Sequence, residues 1–174
     1  EKGSVLHPSS NDEIGMGGAR ISNFSQTDES GAPCKAFKAK EVIRFEIEVL
    51  FEVPLDNLNI AIVIRNTQGL KIYSWGTLNQ DIAIWAGRSE SKVFWTRYFA
   101  AGTSTAVCLE LQCNLGAGDF LVTAVVSREI DKYYGAQTIL CWRDDISAFR
   151  VERDSRDYFF GGICDLQGKA ILND

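Results

Sequence analysis

The sequence predicts an all-β protein built as a sandwich of antiparallel sheets. Apolar and polar residues alternate with a period of two in several segments, and short turns rich in Gly, Asn and Asp separate those segments. No segment keeps the apolar spacing of an amphipathic helix over three turns. An antiparallel sheet with one apolar face needs a second sheet to cover it, so seven or more such strands indicate a sandwich.

The clearest strand is Glu41 to Glu52, where isoleucine, phenylalanine and valine alternate with charged residues. Leu58 to Arg65 is apolar on both faces, which predicts a central strand. Leu70 to Trp75 is expected to return antiparallel to it, because Asn66 to Gly69 has the composition of a hairpin turn.

The other expected strands are less regular. They lie at Ala19 to Phe24, Lys92 to Ala100, Thr103 to Leu115 and Phe120 to Ser127, with short closing strands at Ala148 to Val151 and Gly168 to Leu172. Gly116 to Asp119 is expected to form a second hairpin turn. Gly76 to Ser91 has no clear pattern, and only Ile139 to Phe149 has room for a helical turn.

Composition excludes several classes of function. The 174 residues include 18 Lys and Arg against 23 Asp and Glu, a net charge of -5 that argues against nucleic acid as a partner. The longest apolar run, Ile60 to Ile64, is far shorter than the roughly 20 residues of a membrane-spanning helix. Residues 1–17 are polar and are expected to be a tether from a preceding domain, with one globular domain over residues 18–174.

The five cysteines predict neither a disulfide framework nor a metal site. Their number is odd and no C-x-x-C motif occurs. Cys108 and Cys113 fall on opposite faces of one expected strand, which is a poor geometry for two metal ligands. We therefore expect five buried or half-buried thiols in a reducing, cytosolic compartment.

Motifs of catalysis are absent from the sequence. His7 is the only histidine and lies in the polar N-terminal stretch, so a nucleophile–histidine site is not expected. The glycine-rich Gly15 to Gly18 precedes a strand and lacks the Lys-Ser/Thr of a phosphate loop. Glu46 and Glu48 have the spacing of solvated residues. We expect a non-catalytic domain without cofactor or metal, although two converging carboxylates of a carbohydrate-active enzyme stay an alternative.

Aromatic residues beside polar ones suggest a sugar-binding surface. Tyr73 and Trp75 lie at period two on one face of their strand, just before Asn79 and Gln80. An aromatic ring packs on the apolar face of a pyranose while polar side chains bond its hydroxyls. The alternative for each of these rings is ordinary packing in the core.

Six segments, in three groups, carry a resemblance to a known family. They are Gly18 to Ile21 with Asp28 to Gly31 and Glu41 to Phe45, then Ile60 to Asn66 with Gly69 to Thr77, and finally Leu115 to Val122. Together they resemble the C-terminal domains of Wzt-type proteins, which are nucleotide-binding subunits of ATP-binding-cassette exporters of O-antigen polysaccharide. The resemblance covers about residues 18 to 127.

This resemblance implies an immunoglobulin-like antiparallel β-sandwich that binds the non-reducing end of the polysaccharide and so selects what is exported. It implies a homodimer that exchanges a C-terminal strand, a transmembrane exporter subunit as partner, and a cytoplasmic location at the inner membrane. It also implies that the tether follows an ATPase domain. The alternative is a structural or protein-interaction sandwich without a glycan site.

We expect the binding site on the exposed face of the sheet that contains the strands Leu58 to Arg65 and Leu70 to Trp75. Small Ala61 would leave room there for a ligand. The candidate carbohydrate-binding residues are Tyr73, Trp75, Asn79, Arg65, Arg97, Tyr133 and Tyr134.

Overall fold

The computed structural model describes residues 13–154, 156 and 158–171. Most of the expected tether, His7 and Leu172 lie outside the described residues. In chain order the described elements are β1 (Glu13–Ile14), β2 (Ala19–Thr27), β3 (Ala36–Lys38), β4 (Val42–Phe51), β5 (Leu58–Asn66), β6 (Lys71–Gly76), α1 (Thr77–Trp85), β7 (Ser104–Gln112), β8 (Gly118–Glu129) and β9 (Gln137–Glu152).

These strands form two sheets, which confirms the predicted all-β sandwich. The larger sheet has the order β1-β9-β8-β5-β6, and β3 also pairs with β9. The smaller sheet has the order β2-β4-β7. The pairs are antiparallel, apart from the parallel pair of β3 and β9. As predicted, β5 is a central strand of its sheet.

The core lies between the sheets and follows the predicted alternation. On β4 the residues Ile43, Phe45, Ile47, Val49 and Phe51 are buried. Facing them from the larger sheet are Ile60, Ile62 and Ile64 of β5, with Phe120, Val122, Ala124 and Val126 of β8. Burying each larger side chain stabilises the fold by about 1.5–3 kcal/mol relative to exposure, so this alternation fixes which face of each sheet is outside.

The prediction of a strand at Lys92 to Ala100 is wrong. The segment is irregular and forms only a bridge between Phe99 and Leu55. Instead of pairing in a sheet, the backbone N–H groups of Phe94 and Trp95 donate to the Asp81 carboxylate at 2.8 and 2.7 Å. Asp81 belongs to α1, which forms in the stretch whose pattern was unclear.

The expectation for the chain after Ser127 is right only in part. The strand expected at Ala148 to Val151 is present, but it is the end of β9, which runs for 16 residues through the stretch where a helical turn was expected. Its pairing with β8 shifts register between Val122 and Ala124 and again between Val126 and Ser127. Each bulge moves the following side chains out of phase, so the period-two signal of a strand is lost in the sequence.

One turn, one expected strand and two cysteines also differ from expectation. Gly116–Asp119 joins strands of different sheets, so it is a crossing between sheets and not a hairpin. Residues 168–171 form no strand. All five cysteines are free, but Cys108 and Cys164 are exposed, and only the other three are buried or half-buried. Among the described residues there is no cluster of metal-binding side chains and no helix long and apolar enough to cross a membrane.

Candidate functional site

A groove of about 410 Å³ crosses the outer face of the larger sheet. Its floor includes Ala61 and Val63 of β5 and Val125 of β8, because these residues point away from the core side occupied by Ile62. The remaining lining comes from neighbouring strands, from α1 and from the loop after β8: Asn59, Lys71, Ser74, Trp75, Asn79, Ser127, Tyr134, Gln137, Ile139 and Trp142. Small Ala61 leaves the floor open, as the sequence predicts.

Three aromatic rings line this groove among amide and hydroxyl side chains. Trp142 of β9 is the direct partner of Val125, which places it on the outer face of the sheet. Trp75 stands at the sheet edge on β6, and Tyr134 comes from the loop between β8 and β9. The arrangement supplies stacking surfaces together with hydrogen-bonding groups, the combination that sugar recognition requires.

A hydrogen bond caps one end of the groove. The Tyr134 hydroxyl donates to Asn79 Oδ1 at 2.8 Å. Asn79 follows β6 and Tyr134 follows β8, so the bond spans the strand β5 that lies between them, at the level of Asn59. Burial, followed by the nearby charge of Glu129, raises the pKa of Tyr134 to about 12, so its hydroxyl stays a donor near neutral pH.

Below this cap is a buried polar cluster. Asn59, Ser127 and Glu129 are all nearly inaccessible to solvent and lie on the outer side of the larger sheet. Ser127 Oγ donates to Glu129 Oε1 at 2.5 Å, and Asn59 Oδ1 accepts from the backbone N–H of Leu78 at 3.1 Å. The cluster therefore joins the sheet to the start of α1.

The opposite end of the same sheet face carries charge. The Arg65 guanidinium lies 2.9 Å from Asp144 Oδ1 and 2.9 Å from Asp145 Oδ1, and it donates to Thr123 Oγ1 at 3.1 Å. Arg65 Nε is buried without a partner among the described residues. Lys71 stands opposite Arg65 on β6 and lines the groove.

The side chains of Tyr73 and Trp75 do not leave β6 on the exposed face of the sheet, which corrects their predicted placement. Their strand partners are the core residues Ile64 and Ile62, so both rings leave β6 on the inner side. They line a second cavity of about 510 Å³ between the edges of the two sheets. Their planes are parallel within 4° and their centroids lie 6.4 Å apart. Trp75 also borders the outer groove.

The seven candidate residues are thus divided among several places. Trp75, Asn79 and Tyr134 line the groove, and Arg65 lies on the same face at its charged end. Tyr73 lines only the inter-sheet cavity. Arg97 packs over the rings of Phe94 and Phe99 and lines neither cavity. Tyr133 is exposed in the loop and lines neither cavity.

The sequence reasoning missed one of the three aromatic rings of the groove, Trp142. The bulges of β9 hide its phase in the sequence. It also missed Ser74 and Gln137, which have no signal beyond strand alternation.

Residues 10–166 match the family model described as the Wzt C-terminal domain. The chain is also similar to the crystal structure of the C-terminal domain of Wzt, with a TM-score of 0.75 at 20% sequence identity. That likeness covers 93% of this chain and 88% of the other, and at this identity it shows the fold. No curated protein matches the chain.

Proposed function

Because this chain belongs to the Wzt C-terminal domain family, we propose that it is a non-catalytic carbohydrate-binding domain. In this proposal it recognises the non-reducing end of an O-antigen polysaccharide and confers substrate specificity on an ATP-binding-cassette exporter. The observation that carries the proposal is the outer groove, where the rings of Trp75, Trp142 and Tyr134 stand among amide and hydroxyl side chains.

The groove has the chemistry for weak, selective sugar binding. One stacked ring contributes roughly 1–3 kcal/mol, by analogy with aromatic–base stacking. Hydrogen bonds from groups such as Asn79, Ser74 and Gln137 add about 1 kcal/mol each net. A few such contacts give dissociation constants in the micromolar to millimolar range.

The cap at one end favours recognition of a chain end. The bond between Tyr134 and Asn79 spans the groove above Asn59. A polysaccharide lying along the floor would have to stop there, whereas a groove open at both ends would accept an internal segment. The support for end recognition is therefore steric.

The test is binding of the purified domain to arrayed oligosaccharides, comparing the wild type with Trp142→Ala. We expect Trp142→Ala to weaken binding at least about tenfold, the loss of one stacking contact, with the melting temperature nearly unchanged. Tyr133→Ala is the matched control, because this exposed ring lies outside the groove.

Two results would contradict the proposal. One is wild-type protein that binds none of the oligosaccharides but captures a defined protein partner, which would favour a protein-interaction sandwich. The other is binding that is equally strong in Trp142→Ala and in Tyr133→Ala, which would move the site away from the groove.

We further propose that the domain forms a homodimer by exchanging its C-terminal segment, and that it works beside the transmembrane exporter subunit at the cytoplasmic face of the inner membrane. Support for exchange comes from Leu166 and Ile171, which are 88% and 86% exposed. The edge strands β6 and β7 both border the apolar inter-sheet cavity, where an additional strand would find partners.

Light scattering tests the exchange. The full chain should be a dimer, and a chain ending at Phe160 should be a monomer or an aggregate, because its strand edges stay unpaired. A soluble dimer after this truncation would exclude strand exchange as the basis of assembly.

A further inference from the structure

A second depression, of about 660 Å³, lies beside the groove on the β1 side of the larger sheet. It shares Gln137, Ile139 and Trp142 with the groove, so the two form one continuous surface. Its remaining lining comes from β1, from the turn that follows it and from β9: Ile14, Gly15, Met16, Thr138 and Asp144. A glycan that lies in the groove can therefore continue past Trp142 into the depression.

One wall of the depression is a segment that packs closely on β9. Ile14 is the strand partner of Trp142, which places both side chains on the outer face of the sheet. Just after β1, the N–H groups of Met16 and Gly17 donate to β9 carbonyls at 3.0 and 3.1 Å. At Gly15 any side chain would collide with a β9 carbonyl oxygen, so only glycine allows this close approach. The wall is therefore held in place by backbone contacts.

The side chains that this wall presents are apolar and do not belong to the core. Ile14 and Met16 are 61% and 82% exposed. They border the same depression as half-buried Ile139, so the three form one apolar strip. Folding removes little of this strip from water. A ligand group that covers it would gain the free energy of apolar burial.

Polar groups stand at both ends of the apolar strip. At one end, Gln137 and Thr138 line the depression and can donate from an amide N–H and a hydroxyl. At the other end, Asp144 Oδ1 accepts from Arg65 and from Thr123 Oγ1, each at 2.9 Å. These bonds fix the carboxylate and leave its Oδ2 to accept from a sugar hydroxyl.

We infer that the depression is a second subsite, which takes an internal N-acetylhexosamine of the glycan bound in the groove. The sugar ring stacks on Trp142. The acetyl methyl packs on Ile14 and Met16, and the acetyl oxygen accepts from the Gln137 amide. A plain hexose has no methyl group for the apolar strip, and a 6-deoxyhexose has no acceptor beside its methyl group. This inference rests on the proposed function of the groove, which holds the rest of the glycan.

Chitotetraose and cellotetraose test the subsite, because these β-1,4-linked tetrasaccharides differ only in the acetamido group at C2 of each unit. In an NMR titration, wild-type protein should bind chitotetraose about tenfold more tightly, the effect of one buried methyl group and one added hydrogen bond. In Ile14→Asn this preference should fall to about threefold, because the hydrogen bond remains and the methyl contact is lost. Binding of cellotetraose should not change.

Ile130→Asn is the matched control, since this exposed isoleucine follows β8 and lines neither the groove nor the depression. Met16→Gln is a second variant with the same expected loss if Ile14→Asn does not fold. Equal binding of the two probes by wild type, or a preference that both variants keep, would overturn the subsite. Wild type that binds other arrayed oligosaccharides but neither probe would also overturn it, while the proposed function of the groove would stand. Absence of binding to every oligosaccharide would count against both.

Discussion

Lys40 Nζ lies 2.5 Å from Asp165 Oδ2, and this ion pair ties the C-terminal segment to the smaller sheet. The Asp165 side chain is only 4% exposed and also accepts from the Tyr158 hydroxyl at 2.7 Å. Next to the pair, the N–H of Asp165 donates to the Asn114 carbonyl at 2.8 Å. The segment is therefore held by one charged contact and a short run of backbone bonds.

We predict that Asp165→Asn destabilises the protein near neutral pH but not in strong acid. The hydrogen bond from Lys40, then that from Tyr158, lowers the pKa of Asp165 from 3.8 to about 2. A lowered folded-state pKa stabilises the fold above the unfolded pKa, and this stabilisation is lost as the pH falls from about 4 toward 2. The same pair raises the pKa of Lys40 above its ordinary value of 10.5, so its contribution is present below that value and is lost at higher pH.

Urea unfolding at pH 2, 4 and 7 measures this effect. The difference between wild type and Asp165→Asn should be largest at pH 7 and should shrink toward pH 2. Asp56→Asn is the control, because its pair with Arg128 is exposed on both sides and such pairs contribute little. A pH-independent difference for Asp165→Asn would contradict the ion-pair explanation.

Gly76→Ala should destabilise the fold although the backbone there is extended and unstrained. A Cβ atom at position 76 would lie 2.5 Å from Ala61 Cβ and 2.6 Å from Asn59 Oδ1. Overpacking of this kind costs about 1–3 kcal/mol. Gly161→Ala, where an added Cβ meets nothing within 4 Å, should leave the free energy of unfolding nearly unchanged. Equal stability of the two variants would mean that β5 and β6 move to accommodate the added Cβ atom without a loss in the free energy of unfolding.

Asp81→Ala should loosen the segment that follows α1. The Asp81 side chain is 1% exposed and accepts from the backbone N–H groups of Phe94 and Trp95. Removing a charged acceptor from two buried donors costs about 1.5–3 kcal/mol per hydrogen bond. Hydrogen exchange should become faster at these two amides, and exposed Glu90→Gln should have no such effect. Unchanged exchange in Asp81→Ala would show that packing alone holds the segment.

The sequence predicted best the strands in which one face is buried and the other is not. On β4 and β5 the side-chain period of two survives over most of the strand, so burial of one face is visible in the order of residues. The same reasoning failed at Lys92 to Ala100, where alternation is present but the backbone bonds go to Asp81. Alternation indicates which side chains are buried. It does not show which groups accept hydrogen bonds from the backbone N–H groups.

The candidate site was predictable only in part, for a related reason. Ala61, Asn79 and Tyr134 were expected near one sheet face and do line the groove. Trp142 was missed because the register shifts of β9 depend on tertiary pairing with β8. Tyr73 was placed on the wrong face, because the sequence of an edge strand does not show which of its sides faces the core.

The five thiols should react in a defined order in the native protein. Cys108 and Cys164 are exposed, whereas Cys113 and Cys141 are buried. Burial raises the pKa of Cys141 to about 12 and also raises that of Cys113, which lowers the thiolate available for reaction. With a maleimide reagent at pH 7, mass spectrometry should find Cys164 and Cys108 labelled first, and all five labelled only after denaturation. Early labelling of Cys141 would contradict the described core.

Ala61→Leu should block the groove without disturbing the core. Ala61 lines the groove floor on the outer face of β5, so a larger side chain would occupy the space of the ligand and not the space between the sheets. Oligosaccharide binding should fall at least about tenfold, while the free energy of unfolding should change by less than about 1 kcal/mol, as for surface substitutions. Ala106→Leu is the matched control, because Ala106 is exposed on β7 of the smaller sheet. If both variants bind sugar as well as wild type, the floor of the groove is not the binding surface. If Ala61→Leu instead unfolds, neighbouring residues must pack on the outer face of β5 too closely for an open groove at Ala61.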